Sequence, residues 1–329
     1  MNRNRVIAAT VATVATLSVA ALTAGPAAQA QNYPSKPIRL IVPLVPGGNL
    51  DIVARAVAGP LGESLGQQII VENRAGASSL VGTQFVAKAP ADGYTLLAIA
   101  NTFATVPSLM KNSGYDAIKD FVGVSLTCLV PQVLVVTPSL PVRTVKDLVA
   151  LGKARPGQLA YGTSGAGSTG HIAAELLSLQ SGIKMLHVPY KGNAATIVDV
   201  IAGNVQLMFD QVSTSKSYVD SGRLRALGVT SLKRSPLYPD VPTIDESGLK
   251  GYDAVAWTGL SAPAKTPPVV VEAVNGAVAK IINSPEFRER LKAEGSDPVG
   301  STPERFAQFL EEEITKWRKV IEFANVTPE

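Results

Sequence analysis

Two segments rich in glycine and hydroxyl side chains have the composition of anion-binding loops. Their sequences are VPGGNLD, residues 45–51, and YGTSGAGSTGH, residues 161–171. Each follows an apolar run and opens a helical pattern, so backbone N–H groups are expected at a helix N-terminus, where the helix dipole favours an anion. Hydroxyl and N–H donors also make charge-assisted bonds to a carboxylate. The donors that the pattern indicates are the backbone at Gly47 and Gly48 and the hydroxyls of Thr163, Ser164, Ser168 and Thr169.

Several of these positions also have a purely structural interpretation. The first loop is also consistent with an ordinary strand-to-helix turn in which Asp51 is the helix N-cap, and Ser168 is a candidate N-cap of the second helix. Asp210 ends the run VQLMFD, where it either caps the next helix or accepts a hydrogen bond from a ligand amino or hydroxyl group. His171, in the first turn of the second helix, either contacts a ligand or bonds locally. Residue types alone leave these alternatives open.

The second loop partly matches two catalytic patterns. Gly165, Gly167 and Gly170 spell GxGxxG, the dinucleotide fingerprint, but the next strand ends in HVPYK, residues 187–191, without the acid expected about twenty residues on. The GxSxG motif of serine hydrolases fails because Ala166 occupies its last glycine position. Two histidines without metal-ligand spacing and a single cysteine indicate no metal and no other cofactor. An exported nucleotide-binding enzyme is the weaker alternative.

The N-terminal residues have the pattern of a secretory leader. Arg3 and Arg5 precede the uncharged residues 6–24, and Ala28 and Ala30 form an A-x-A cleavage pattern. We expect cleavage after Ala30 and a soluble mature chain in the periplasm. Without the leader, 28 of the 30 basic residues remain against 26 acidic ones, a net charge of +2, which predicts no nucleic-acid partner.

Short apolar runs alternate with helical patterns along the rest of the chain, which predicts an α/β fold with mainly parallel sheets. A mature chain of about 300 residues exceeds one compact core, so two lobes are expected. We assign residues 1–30 to the leader, 31–133 with 255–329 to domain 1, and 134–254 to domain 2. Two chain crossings between the lobes would form a hinged clamp around a ligand cleft. The single cysteine, Cys128, is expected in the core.

The boundaries of the predicted elements follow from these patterns and from capping residues. Helix N-caps are expected at Thr144, with Asp147 in capping-box spacing, and at Ser284 and Thr302, each of which precedes a proline. The predicted strands cover residues 38–43, 69–72, 95–100, 133–137, 159–162, 185–188, 205–209, 224–230 and 254–260. The predicted helices cover residues 51–65, 81–89, 168–179, 194–201, 267–282, 285–292 and 303–323, with a further helix from Thr144.

An ordered series of motifs carries a family resemblance. The motifs are YPSKPIRLIVP from Tyr33, DGYTLL from Asp92, HVPYKG from His187, RALGVTS from Arg225, DVPTIDESG from Asp240 and W-x-G-x-x-A-P-A from Trp257. With this series, the chain resembles the Bug-type extracytoplasmic receptors of the tripartite tricarboxylate transporter family over essentially all of its mature length. The resemblance implies a type II-like periplasmic binding protein fold, with the ligand cleft between two α/β lobes, and a receptor that is not an enzyme.

The resemblance also implies the ligand class, the partners and the site. Family ligands include di- and tricarboxylates, acidic amino acids and aromatic acids, and the implied partners are the membrane permease subunits of the transporter. The receptor itself is expected to be a monomer, and a sensor role in a signalling system is the remaining alternative. The implied ligand-binding residues are Gly47, Gly48, Asn49, Leu50, Asp51, Asn101, Thr102, Thr163, Ser164, Gly167, Ser168, His171 and Asp210.

One position departs from the family pattern. Leu50 stands where the family usually has Thr or Ser immediately before the aspartate, so a hydroxyl donor is missing. A buried carboxylate without partners is strongly destabilised, so the first loop would bind one through backbone N–H groups, Asn49 or water, or would meet an apolar ligand end. The sequence therefore favours an aromatic or branched monocarboxylate more than it would in a typical member.

Overall fold

The structure is a computed structural model that describes residues 33–110, 112–190, 192–293 and 295–326. The predicted leader and its cleavage after Ala30 lie outside the described residues. Among the helices of the described part, none combines the length and apolar composition that a membrane crossing requires.

The described residues form strands and helices that alternate over most of the chain. The strands are β1 (Ile38–Val42), β2 (Ile69–Asn73), β3 (Thr95–Ala100), β4 (Phe121–Val130), β5 (Gln132–Val136), β6 (Leu159–Thr163), β7 (Met185–Pro189), β8 (Leu207–Gln211), β9 (Arg225–Val229), β10 (Ala256–Pro263) and β11 (Asp297–Pro298). The helices are α1 (Asn49–Leu65), α2 (Leu80–Ala87), α3 (Asn101–Leu109), α4 (Val145–Ala154), α5 (Thr169–Ser181), α6 (Asn193–Ala202), α7 (Val212–Asp220), α8 (Pro268–Asn283), α9 (Pro285–Ala293) and α10 (Pro303–Ala324).

The strands form two mixed sheets. The first sheet has the order β11-β4-β10-β3-β1-β2 and the second the order β7-β6-β8-β5-β9. The expectation of mainly parallel sheets was wrong, because β10 is antiparallel to β3 and β4, and β5 is antiparallel to β8 and β9. Each of these two strands enters its sheet from the other half of the molecule. Each of them is therefore antiparallel to the strands of its sheet that end toward the other half of the molecule.

Strand β1 has an almost continuously apolar sequence because both of its faces are covered. Ile38, Leu40 and Val42 lie in the hydrophobic cluster that contains residues of α1 and α8, whereas Ile41 lies in the cluster that contains residues of α3 and α10. All four side chains are fully buried. A strand covered on both faces needs apolar residues at successive positions, so it does not alternate between apolar and polar residues.

Capping residues fix several helix starts as expected. Thr144 and Asp147 form the predicted capping box at α4, with the Thr144 hydroxyl accepting from the Asp147 N–H at 3.1 Å. The Thr302 hydroxyl accepts from the Arg305 N–H at the start of α10. Cys128 is buried in an apolar cluster, which confirms its predicted place in the core.

The two sheets share a continuous core where the chain crosses between them. One hydrophobic cluster includes Leu97 of β3 and Leu134 of β5 together with Trp317 of α10. Glu313, also on α10, accepts hydrogen bonds from the indole N–H groups of Trp257 at 2.8 Å and Trp317 at 2.7 Å. Trp257 lies in β10, the strand by which the chain returns to the first sheet. This buried carboxylate therefore ties α10 to the returning strand.

Candidate functional site

The first loop and α3 begin at one edge of the first sheet. Because β1 and β3 are adjacent and parallel, their carboxyl ends meet at the same edge. The first loop, residues 45–51, follows β1 there, and Asn101 begins α3 directly after β3. Helix α1 begins at Asn49 with Gly48 as its N-cap, and no side chain caps its first N–H groups. Uncapped N–H groups at a helix N-terminus are suited to an anion.

The Asp51 carboxylate holds the first loop in place through hydrogen bonds. The interpretation of Asp51 as the helix N-cap was wrong, because the N-cap is Gly48 and the helix already begins at Asn49. The carboxylate accepts from the Gly47 N–H at 2.9 Å, from Asn73 Nδ2 at 2.9 Å and from Arg55 Nε at 3.0 Å. Burial alone would raise the pKa of this carboxyl, but these hydrogen bonds and the Arg55 charge hold it below its usual value. The Asp51 oxygens are thus occupied within the first lobe.

Leu50 and Asn49 differ in what they offer to a ligand. The Leu50 side chain is 4% exposed and lies in the hydrophobic cluster of α1 and β1. Asn49, one residue earlier, is half-buried. The first loop therefore presents backbone N–H groups and one amide side chain, and no hydroxyl.

Asn101 holds the returning strand. Its Nδ2 donates to the Val255 carbonyl at 3.2 Å, and its Oδ1 accepts from the Trp257 N–H at 3.0 Å. The side chain is buried, so both ends of the amide are used to fasten the start of β10. Thr102, in the first turn of α3, is half-buried at the same sheet edge.

The second sheet repeats this arrangement. Strands β6 and β8 are adjacent and parallel, so the second loop after β6 and Asp210 near the end of β8 meet at one edge. Ser168 is the N-cap of α5, as its structural interpretation proposed, and its hydroxyl accepts from the His171 N–H at 3.4 Å. Ser164 is exposed in the middle of the loop.

The inner side of the second loop is fastened by its own side chains. The Thr163 hydroxyl accepts from the Gly165 N–H at 3.2 Å and lies 2.7 Å from His187 Nε2. The Gly167 N–H donates to His171 Nδ1 at 3.0 Å. Thr163 is only 2% exposed. Its hydroxyl and the Gly167 N–H, both expected to face the ligand, are therefore engaged in holding the loop.

The two histidines stack behind this loop. The His171 and His187 rings lie 3.8 Å apart between centroids with an interplanar angle of 17°. Burial, and secondly the neighbouring His187, lowers the pKa of His171 from 6.5 to about 3. The Tyr161 ring packs on His187 at 5.1 Å, and its hydroxyl donates to Glu175. His171 is consequently neutral at physiological pH.

Asp210 is buried, and both of its carboxylate oxygens accept hydrogen bonds. It accepts from Asn193 Nδ2, from the Thr214 hydroxyl and from the Ser215 hydroxyl, each at 2.7 Å. The residue that caps α7 is Gln211, so Asp210 is bonded to side chains of α7 and does not serve as its N-cap. The carboxylate joins the starts of α6 and α7 at the edge of the second sheet.

Helix α3, at the edge of the first sheet, contacts the second loop, at the edge of the second sheet. Leu109, at the end of α3, lies so near Gly167 that a Cβ at this glycine would stand 2.7 Å from Leu109 Cδ1. Gly167 also has a φ of +72°, which a side chain would strain. A side chain at this position would strain the backbone and displace the tip of Leu109. The end of α3 thus touches the anion loop of the other sheet.

Comparison with known proteins identifies the family. A sequence model described as the tripartite tricarboxylate transporter family receptor matches residues 53–326. The chain belongs to this receptor family. Protein BugT of Bordetella pertussis is 38% identical over 294 residues, covering 89% of the chain and 90% of BugT. Among solved structures, Rpa4515 from R. palustris with adipate is 37% identical, with a TM-score of 0.77, and covers 90% of this chain and 100% of its own. The periplasmic binding protein BugD is 34% identical, with a TM-score of 0.74 and coverage of 90% and 100%.

These similarities confirm the family resemblance and the α/β fold of a periplasmic binding protein. Membership in a family of receptors indicates a ligand-binding role for this chain. Within the described residues, no group of histidine, cysteine or acidic side chains could hold a metal ion.

Cavities of the receptor also lie away from the two loops. One of about 540 Å³ is lined by residues of α5 and α10, including Leu176 and Val320. Another of about 510 Å³ is lined by Pro131 between β4 and β5 and by Val255 of the returning segment. Neither contains a residue of the first or second loop.

The sequence missed the residues that support the receptor's loops. Asn73 holds Asp51, Asn193 holds Asp210, and His187 holds Thr163. Asn73 ends β2 and His187 lies in β7, each a neighbour of the strand that carries a loop. Their positions next to the loop-bearing strands are the signal that could have identified them.

Proposed function

We propose that this receptor captures a small carboxylate in the periplasm and delivers it to the membrane permease subunits of a tripartite tricarboxylate transporter. The observation that carries the proposal is the pair of strand-to-helix loops, one at the edge of each sheet, with N–H groups available at both helix starts. The contact between Leu109 and Gly167 supports a ligand held between these edges. Rpa4515, a relative with the same fold, is solved with adipate, which is a dicarboxylate.

The two loops support different roles in ligand binding. The second loop combines free N–H groups with the exposed Ser164 hydroxyl, and it suits a carboxylate. The first loop has the N–H groups of α1 and the Asn49 amide, and Leu50 supplies no hydroxyl. We propose that the second loop holds the carboxylate common to all ligands, and that the first loop selects among the opposite ends of these ligands. An aromatic or branched monocarboxylate and a dicarboxylate held by backbone N–H groups alone are the two ligand types to compare.

The export and assembly of the receptor belong to the same proposal. Its support is the leader, in which Arg3 and Arg5 precede an uncharged run and Ala28 and Ala30 form the cleavage pattern, together with the family membership. We propose cleavage after Ala30 and a monomeric mature receptor. The proposed lobes are residues 31–133 with 255–329, which include the first sheet, and residues 134–254, which include most of the second.

A thermal-shift panel tests the function. The mature receptor is heated with adipate, malate, glutamate, benzoate and a branched monocarboxylate, and with a nicotinamide dinucleotide as the competing ligand class. A ligand at about a hundred times its Kd adds about 2.7 kcal/mol to the free energy of unfolding. At least one acid should stabilise the receptor saturably, and Lys216→Ala, a change at an exposed ion pair, should respond identically. Stabilisation by the dinucleotide alone would support the enzyme alternative.

A further inference from the structure

The N–H groups of the second loop divide into two sets. The Gly165 N–H bonds to Thr163 Oγ1 and the Gly167 N–H bonds to His171 Nδ1, so both are used inside the lobe. Ser164, just before Gly165, and Ala166, between the two glycines, have backbone N–H groups for which no partner occurs among the described residues. Along residues 164–167, N–H groups without a partner among the described residues thus alternate with N–H groups bonded inside the lobe.

The two histidines provide the acceptors that create this alternation. His171 Nδ1 accepts a hydrogen bond, so the ring proton must be on Nε2. His187 packs on the other side of this ring and places its Nε2 2.7 Å from Thr163 Oγ1. Thr163 in turn accepts from Gly165. One stack therefore fixes both inward-facing N–H groups.

We propose that His171 and His187 are positioning residues for the carboxylate site. They hold the N–H groups of Gly165 and Gly167 toward the interior of the lobe, so that the N–H groups of Ser164 and Ala166 face the ligand. This inference rests on the proposed carboxylate-binding function and adds residues that act through the loop, without contact to the ligand.

The surroundings of the stack favour the neutral form of His171, whose pKa is lowered mainly by burial. The Tyr161 ring, from β6, packs near both imidazoles, and its hydroxyl donates to Glu175, one turn further along α5 from His171. Burial raises the pKa of Glu175, whereas the bond from Tyr161 partly offsets this effect. Burial first, and then Glu175, raises the pKa of Tyr161. A protonated His171 would lose its acceptor atom, because both ring nitrogens of a charged imidazole are donors.

A double-mutant cycle tests the proposal with adipate as the probe. Thr163→Val removes the hydroxyl, and His187→Phe keeps a ring on His171 but removes the nitrogen that faces Thr163. Each change should raise the Kd about tenfold, the effect of losing one hydrogen bond. The double variant should also be about tenfold weaker than wild type, because both changes remove the same contact. Losses that multiply in the double variant would overturn the proposal.

The acceptor role of His171 has a separate readout. His171→Asn supplies an amide oxygen near the position of Nδ1 and should restore most of the affinity that His171→Leu loses. With two histidines in the chain, ¹⁵N NMR of the imidazoles should show His171 as the Nε2–H tautomer, with His187→Phe providing the assignment. A proton on Nδ1 of His171 would overturn the proposal. If wild-type receptor binds no acid at all, the proposed function fails, while the tautomer still reports on the stack in the ligand-free protein.

Discussion

Acidification is expected to destabilise the receptor through His171. The imidazole is buried and neutral, with its pKa lowered from 6.5 to about 3, mainly by burial and secondly by His187. Between these two values the unfolded chain binds more protons than the folded one, so the free energy of unfolding falls as pH falls below 6.5. At about pH 5, 1.5 units below the unfolded pKa, the loss amounts to about 2 kcal/mol, since one unit corresponds to about 1.36 kcal/mol. Above the unfolded pKa the effect disappears.

The matched variant for this prediction is His171→Asn, which does not titrate and keeps an acceptor for Gly167. Urea unfolding of both proteins at about pH 7.5 and about pH 5 is followed by the fluorescence of Trp257 and Trp317, the two tryptophans of the chain. Glu175 and His187 are present in both proteins, so the two proteins differ in titratable groups only at position 171. Wild type should lose about 2 kcal/mol more than the variant between the two pH values. Equal losses would refute the buried, neutral state of His171.

Three further predictions concern residues with different roles. Glu313→Ala should lower the free energy of unfolding, measured by urea unfolding, by about 3 kcal/mol, because it leaves the indole N–H groups of Trp257 and Trp317 without their acceptor. Glu313→Gln keeps an acceptor oxygen and should lower the free energy of unfolding by less. Asp51→Ala should weaken adipate binding about tenfold in titration calorimetry by releasing the first loop, and an unchanged Kd would show that the loop holds its shape without this carboxylate. Leu50→Thr should lower the Tm, because a hydroxyl enters an apolar cluster; tighter dicarboxylate binding without loss of Tm would show that this side chain reaches the ligand.

The sequence predicted the parts of the fold that depend on local patterns. The β-strand and helix alternation, the Thr144 capping box and the glycine-rich loops each involve residues close in the chain, and the structure has them near their expected bounds. Helix α3 and strand β4 were missed, and no bounds were predicted for helix α7 or the short strand β11. Thr105 and Pro107 are poor helix formers within α3, and Gly123 interrupts the apolar run of β4.

The roles of individual site residues depend on partners that are distant in sequence. Asn101 was expected to face the cleft, yet its amide is bonded to Val255 and to Trp257, more than 150 positions away. Asp51 was considered a helix cap, but Asn73 and the Gly47 N–H use its oxygens. Loop composition can identify an anion site, whereas only the packing of neighbouring strands decides which donors remain for the ligand.

Mass spectrometry of the purified mature receptor tests the central claim most directly. The protein is measured under native conditions and again after denaturation, and any released molecule is identified by its mass and fragmentation. A carboxylate receptor should carry one small carboxylic acid per chain, and added adipate or benzoate should replace it at a defined concentration. Recovery of a nucleotide, or of a ligand without a carboxyl group, would contradict the account.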